Sequence, residues 1–577
     1  MRKMQATDDL DQRDSTRVVI ALVGLFLALF ILSLFGRPLF IPDEVRYAEI
    51  AREMIVHGNW IVPRLDGLLY FEKPPLGHWL NAMSMFLFGE NEFAVRFASA
   101  ISAGVTALIA YVLSRRFFHS QRTALLAVFI YLTFFEVQVV GTLSVLDTIF
   151  TVVFNAGIAA IALAAIAGNR SHQTRCLLVG GGLLGLAFLA KGFLAFVLPG
   201  LVLGAWLLWE RNFELLLKRS WLAVLAAIVV VAPWAIAIHL QEPDFWRYFV
   251  VVEHLQRFAA DNAQHKAPVY YFLVALPVVA FPWFFLMPAA LKGIRATPGD
   301  ARLRSARTFL ALWILLPLAF FSVASGKLIT YILPCFLPFA ILLAHGLDQG
   351  MSGKVDSRRW TQVGLVVISL GFLAGLVALL QMQWSPSGRA PFQADELTKC
   401  YVLAGSLAFA SALSLAAVFF GDRLKPVLAG GMAIAPLLLV LQYVLPDEVM
   451  QHKAPGEFLE RIGDTLQPDT LVITNGSLLR AVSWHLKRDD VYVIQNKGET
   501  AYGLDAPDGQ GRYLESPELA KLLTHNARLH DVLIVCKNPC QPDTLQFIPE
   551  YAEASSYGNF YAHLIPKVET TPVPVED

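Results

Sequence analysis

About thirteen stretches of this 577-residue chain stay apolar for roughly the 20 residues that a helix needs to cross a hydrocarbon layer. They lie near 17–36, 93–114, 123–140, 148–167, 176–190, 193–209, 220–240, 269–290, 308–324, 328–347, 361–381, 401–420 and 427–445. In lipid, backbone donors and acceptors must be satisfied within the segment itself, so the pattern specifies a polytopic α-helical membrane protein. Composition agrees, with 56% hydrophobic and 16% charged residues, where a soluble domain is nearer a quarter charged. Disordered chains, fibrous rods and ordinary soluble enzymes are excluded. Lys plus Arg equal Asp plus Glu at 46 each, so bulk charge gives no case for nucleic acid. The first apolar stretch follows a charged tail and lacks a small-residue cleavage site, which reads as an anchor rather than a signal peptide.

Orientation follows from Lys and Arg in the connections. With the N-terminus inside, the inside segments carry 22 of the 46 basic residues, and the short outside loops near 141–147, 191, 325–327 and 382–399 carry four. An odd number of spans then puts the C-terminus outside. Two outside loops are long, 37–92 and 241–268. The expected organisation is a membrane domain over 1–445 that includes both loops, followed by a soluble domain over 446–577. That tail holds 11 basic and 20 acidic residues in 132. It reads as α/β: strand LVIT at 471–474, helix near 477–487, strand VYVI at 491–494, helix near 516–525 and strand VLIV at 532–535. The five cysteines form no C-x2-C pair, so no zinc-ribbon signal exists. Cys536 and Cys540 lie in the outside domain, where a disulfide can form, and a turn through Asn538-Pro539 can bring them close; the sequence leaves bonded and free forms open.

The chemistry-bearing residues collect at the outer ends of the spans. In PDEVRYAEIAREM, Asp43 and Glu44 open a short amphipathic helix, with Arg46 at i+3 from Asp43 and Tyr47 beside it. The plain alternative is an interfacial helix with solvated charges. In YFEKPPLGHW (70–79), Glu72 and Lys73 precede a double proline that enforces an extended path. This suits a rigid cation at lipid-phosphate depth, or a belt loop with an ordinary ion pair. Asp147 opens the fourth span without a basic neighbour in sequence. A lone carboxylate at membrane depth marks a site, though it also suits a helix N-terminus. His254, Arg257 and His265 stand among aromatics in the 241–268 loop, at no standard zinc spacing. In SGKLITYIL, Lys327 ends an outside turn with Tyr331 one turn along; a snorkelling lysine is the plain reading. Lys191 is a similar lone cation in an outside hairpin. Two carboxylates and several cations at one face suit a reaction on a lipid-linked anionic substrate.

Taken together, PDEVRYAEIAREM, YFEKPPLGHW, SVLD, WRYFVVVEHLQRFAADNAQHKAP and SGKLITYIL resemble the ArnT family, the undecaprenyl phosphate-α-4-amino-4-deoxy-L-arabinose arabinosyltransferases. These belong with the protein mannosyltransferases among GT-C glycosyltransferases. The resemblance covers about residues 37–345, and EHLQRFAADNAQHKAP is its most specific part. One departure is Ile329, where the family form reads GKLPTY, which puts the shape of that helix start in doubt. The resemblance implies a GT-C fold of about 13 transmembrane helices with a C-terminal periplasmic α/β domain, in the inner membrane of a Gram-negative cell. It implies transfer of aminoarabinose from undecaprenyl phosphate to lipid A phosphates, with polymyxin and cationic-peptide resistance as the consequence.

By the same resemblance, Asp43, Arg46 and Asp147 are catalytic. Lys73, Arg257, Lys327 and Tyr331 bind the carrier phosphate, and Glu44 and Tyr47 line the substrate. No cofactor is required for the chemistry, while a bound zinc is implied near Glu72 and His254. The partners are the lipid-linked donor, the lipid A acceptor and the surrounding bilayer lipids, with no nucleic acid. Two rival readings stand beside this one. One is another polyprenyl-phosphate-sugar transferase of the protein O-mannosyltransferase type, in which Asp43 would act as a base on a hydroxyl. The other is a lipid-linked sugar transporter, disfavoured because transporters place charge near the midplane and often show repeat halves.

Overall fold

A computed structural model of the chain describes residues 15–256, 265–297, 299–352, 356–385, 390–526 and 529–567. Each of the thirteen apolar stretches falls on helix. Among the described residues, nine helices are long and apolar enough to cross a membrane, from Ser15–Phe35 to Ala394–Ala417. Two more expected spans are broken pairs. Gln121–Leu132 meets Phe135–Gly141 at 61°, and Tyr271–Val279 meets Trp283–Ala296 at 93°. The remaining two, Leu194–Trp209 and Lys425–Val440, are shorter. The breaks have local causes. Pro277 and Pro282 lie in or beside the second bend. At the first, the Thr133 hydroxyl donates to the Phe129 carbonyl at 2.6 Å and accepts the Trp283 indole N–H at 2.9 Å. The Phe135 N–H freed by the break donates to the Phe281 carbonyl at 3.1 Å. The two bends thus satisfy each other inside protein, as non-helical backbone at membrane depth requires.

The chain divides into two compact units. The first holds the segment up to Gly36 together with Arg96–Val444. Its helices approach closely through glycine: a Cβ on Gly181 would stand 2.0 Å from the Ala223 carbonyl oxygen, so the Arg170–Lys191 and Trp221–Gln241 helices pack backbone to backbone there. The second unit holds Arg37–Val95 and the chain from Leu445 onward. The 37–92 loop, expected within the membrane domain, instead packs in the unit with the tail.

In this second unit, α1 (Asp43–His57) is followed by a two-residue hairpin, β1 (Arg64–Leu65) and β2 (Leu68–Leu69), and by α2 (Leu76–Phe88). The tail forms a six-stranded sheet from β3 (Leu471–Asn475), β4 (Tyr492–Ile494), β5 (Tyr513–Leu514), β6 (Val532–Lys537), β7 (Glu553–Tyr557) and β8 (Phe560–Ile565), in the order β5-β4-β3-β6-β8-β7. The first four strands in that order are parallel, and the β7–β8 hairpin adds antiparallel to β6. Side chains alternate across it. Val472, Leu533 and Val535 join one core with Val45, Ala48 and Ala51 of α1. Ile473, Val532, Ile534 and Cys536 face the other with Leu519 and Leu523. Both faces are covered, which is why β6 is apolar from Val532 to Cys536. Cys536 and Cys540 are disulfide-bonded, with Cα atoms 5.6 Å apart.

The hairpin turn of the first loop is locked to the tail. Asp66, fully buried, accepts from Arg512 at 2.6 Å and from the Ser483 hydroxyl at 3.1 Å.

Candidate active site

The residues singled out from the sequence fall into two groups, one in each unit.

In the second unit, α1 starts at Asp43 because Pro42 ends the preceding segment and two acids occupy the first turn, where they favour the helix dipole. The helix is not a solvated surface element. Glu44, Arg46, Glu49, Arg52 and Glu53 are all buried, and buried charge at this density needs pairing. Arg52 makes a two-point contact to Glu49 at 2.6 and 2.8 Å. Glu44, expected beside the substrate, bonds Arg37 at 2.5 Å and the Phe40 N–H at 3.0 Å, bracing the turn before the helix.

Asp43 keeps 48% of its side chain exposed and pairs with Arg46. The Arg46 guanidinium also pairs with Glu499, donates to the Tyr47 hydroxyl at 3.2 Å, and lies over the Tyr47 ring at 4.7 Å. Glu499, just beyond β4, in turn accepts from Arg480 at 3.2 Å. Burial opposes the Glu499 charge, yet the Arg46 and Arg480 cations, with Lys73, hold its carboxyl down at about 2. One continuous chain of charge therefore runs Asp43–Arg46–Glu499–Arg480.

Beneath it lie Tyr70 and His78, both buried. Burial, then the Arg46 and Lys73 cations, push the His78 imidazole down to about 3, so it is neutral. Burial likewise pushes the Tyr70 hydroxyl up. Lys73 is half-buried and donates to the Glu72 carbonyl at 2.9 Å. The double proline after it leads directly into α2, with Pro75 at the helix cap.

In the first unit, Asp147 lies in the first turn of the Leu146–Ala165 helix, capped at Val145 without a side-chain bond. Its carboxylate goes instead to Lys191 at 2.6 Å, with both side chains largely buried. The Lys191 ammonium also stands 5.1 Å from the centre of the Tyr331 ring. Asp147, Lys191 and Tyr331 thus form one group. Lys327 is 5% exposed rather than snorkelling. Its ammonium donates to the Ala267 carbonyl at 2.8 Å and to the Ala324 carbonyl. The 265–267 segment pairs with 325–327 through a single bridge, Lys266 to Gly326. At the departure from the family form, Leu328 is extended and a tight helical turn runs over Ile329–Cys335.

Arg257 and the His254 side chain lie outside the described residues. Among the described residues, no three His, Cys, Asp or Glu side chains come together as a metal site would need.

Several participants left no mark in the sequence. Arg46 and Glu499 are 453 residues apart, and Asp147 and Lys191 are 44 apart. Neither pairing has a local pattern. Arg480 and Glu499 sit on a helix and a turn that read as ordinary α/β surface.

Comparison with known proteins places the whole chain. Residues 15–249 match the family described as dolichyl-phosphate-mannose-protein mannosyltransferase. Residues 450–564 match the C-terminal domain of arabinosyl transferase ArnT. The chain is 39% identical over 522 residues to an undecaprenyl phosphate-alpha-4-amino-4-deoxy-L-arabinose arabinosyl transferase of Erwinia tasmaniensis, covering 89% of this chain and 93% of that relative. It is 35% identical over 568 residues to the protein of the same name from Pseudomonas paraeruginosa, covering 97% and 100%. The crystal structure of ArnT from Cupriavidus metallidurans bound to undecaprenyl phosphate has a TM-score of 0.79 to it at 23% identity, covering 96% of this chain and 98% of that one, a likeness of fold.

Proposed function

The chain belongs to the undecaprenyl phosphate-alpha-4-amino-4-deoxy-L-arabinose arabinosyl transferase family, and from that membership we propose that it moves aminoarabinose from undecaprenyl phosphate to a lipid A phosphate. The reaction takes place at the periplasmic face of the inner membrane, with the N-terminus cytoplasmic and the sheet domain periplasmic. It lowers the charge of lipid A and so weakens binding of polymyxin and cationic peptides. The single observation that carries the reading is identity of 35–39% across nearly the full length of relatives bearing that one name. The mannosyltransferase match over 15–249 reflects the shared membrane fold.

Breaking the bond between sugar C1 and the carrier oxygen leaves positive character on the sugar and negative charge on the carrier phosphate. Cations already in place stabilise that charge without reorganising. Lys73 has this role in the second unit, supported by the fixed double-proline path. Lys327 suits it in the first: two of its three N–H donors are held by carbonyls, which leaves the third for a phosphate oxygen. Tyr331 and Arg257 are assigned to the same task.

The acceptor decides what Asp43 does. A phosphomonoester has its second pKa near about 6 and is already a nucleophile at neutral pH. It needs no general base, so Asp43 orients the acceptor or stabilises the developing cation on the sugar. Arg46, pinned between Asp43 and Glu499, fixes the rotamer of Asp43. Tyr47 lies against the Arg46 guanidinium and lines the substrate. Asp147 meets the donor sugar. Because Lys and Arg supply the charge stabilisation, this scheme routes no step through a metal.

The test is mass spectrometry of lipid A from a polymyxin-sensitive strain that makes the donor lipid but lacks its own transferase. Expression of the chain adds one aminoarabinose residue per modified phosphate, and expression of Asp43→Asn adds none. A different mass increment would keep the transferase and change the sugar. No increment, with the protein present in the membrane, would overturn the reading.

A further inference from the structure

Glu136 belongs to none of the roles above. It sits in the Phe135–Gly141 segment after the first bend, 3% exposed, and its Oε1 atom has no hydrogen-bond partner among the described residues. Its segment packs against the Leu146–Ala165 helix, whose first turn carries Asp147, an acid of like sign. Asp147 is already matched one-to-one by Lys191. The group therefore holds two carboxylates and one ammonium. A buried carboxylate without a compensating partner is costly, and at membrane depth such a group marks a function.

A second observation concerns the helix that carries Asp147. Thr151 and Asn155 follow at i+4 and i+8, on the same face. They are 1% and 0% exposed, and the Thr151 hydroxyl and both amide atoms of Asn155 have no hydrogen-bond partner among the described residues. Buried polar groups are normally satisfied. An unmatched acid on one helix, and a face of unmet donors and acceptors on the helix it packs against, suit a ligand with one positive charge and several hydroxyls.

We propose that Glu136 and Asp147 together receive the protonated 4-amino group of the donor sugar, and that Glu136 sets the preference for an amino sugar over its hydroxyl counterpart. This rests on the transferase reading and deepens it. The amino group is the one cationic point on an otherwise anionic lipid. With Lys191 engaged by Asp147, the ammonium balances Glu136. A 4-hydroxyl of the same size brings no charge and leaves that carboxylate uncompensated, so discrimination arises from a desolvated charge rather than from shape.

The experiment uses the full-length protein in proteoliposomes with lipid A and two donors on the same polyprenyl phosphate carrier, one bearing the 4-amino sugar and the other its 4-hydroxy analogue. Glu136→Gln, nearly isosteric, is expected to lower kcat/KM for the amino donor about 30-fold and to leave the hydroxy donor within about twofold. Glu136→Asp, which keeps the charge, is expected to restore part of the preference. Equal losses on both donors, or no loss on either, would overturn the proposal; the hydroxy donor also reports whether the variant is folded. If the folded wild-type protein transfers neither sugar, the transferase reading has failed instead. Equilibrium binding of the two lipids then decides: a preference for the amino lipid that Glu136→Gln abolishes supports the assignment, and an unchanged preference overturns it.

Discussion

The charged cluster of the sheet-bearing unit and that of the membrane unit solve the same problem in opposite ways. In the first, Asp43, Arg46, Glu499 and Arg480 alternate in sign, and Arg46 divides its donors between Asp43, Glu499 and the Tyr47 hydroxyl. The network is balanced before any substrate arrives. In the second, one lysine faces one aspartate while a second acid stands unmatched nearby. Arginine carries five donors in a fixed fork and can tie distant segments together, whereas lysine is a point charge that satisfies one partner well. The balanced cluster is therefore built to hold geometry, and the unbalanced one to receive a charge.

The sharpest test of that contrast is Asp43→Asn. It leaves Arg46 paired with Glu499, so the scaffold survives, and transfer is expected to fall by about 1,000-fold while donor-lipid affinity changes by less than about threefold. Turnover and binding measured on one preparation check it. If the variant keeps half of wild-type turnover, Asp43 is not the positioning acid.

Next is Glu499→Gln, which leaves two buried guanidinium groups without the negative charge they share. Transfer is expected to drop about 100-fold, and stability by about 3 kcal/mol, read from thermal unfolding in detergent. Restoring either property by Arg480→Gln in the same chain would show that charge balance, not the carboxylate alone, is what matters. The cluster also predicts a pH dependence. Glu499 titrates near 2 when folded and near 4.5 as the ordinary carboxyl. Its contribution is present above the unfolded value and is lost as pH falls from about 4.5 towards 2. His78 acts in the same direction over a wider window. It stays neutral in the fold down to about 3, against an ordinary 6.5. The unfolded chain binds the extra proton between those values, so stability declines as pH falls through them. Glu499→Gln is expected to flatten only the lower part of the curve, and His78→Phe the whole span from 6.5 to 3.

In the membrane unit, Lys191→Gln is expected to cost about 2 kcal/mol because it strands Asp147 beside Glu136. Adding Asp147→Asn should recover that stability without recovering transfer, and a double-mutant cycle reads the coupling directly. An additive pair would break the contrast drawn above. The smallest expected effect is removal of the disulfide. Closing so short a loop constrains the unfolded chain by about 2 kcal/mol, and Cys536→Ser with Cys540→Ser should lose that much stability while leaving transfer intact.

Much of this architecture is legible without coordinates. Long apolar runs cannot avoid being helices in lipid, so all thirteen stretches fall on helix. Short continuous apolar runs flanked by turns mark β3, β4 and β6 to within a residue or two. The bends at 132–135 and 279–283 were not legible as bends, because the hydropathy of a broken span equals that of a straight one. The β7–β8 hairpin also escaped notice, since the EASSY strand is mostly exposed and lacks an alternating apolar face. The membership of the 37–92 loop was likewise hidden. Its helix reads as amphipathic, but amphipathicity does not say which apolar surface will cover it, and Val45, Ala48 and Ala51 are covered by the tail's core.

The sequence by itself determined that the chain has many stretches long and apolar enough to cross a membrane and that an α/β domain follows them, and it singled out Asp43, Lys73, Asp147 and Lys327 as charges at the outer ends of the spans. These follow from local periodicity and from the cost of charge in lipid, both of which act over a few residues. Only the tertiary structure decided the partners. It joined Arg46 to Glu499 and Asp147 to Lys191, held Lys327 between two carbonyls, and left Glu136 beside an acid of its own sign. Coulomb interactions and hydrogen bonds depend on distance in space, which a linear chain does not encode until its helices and sheet have packed.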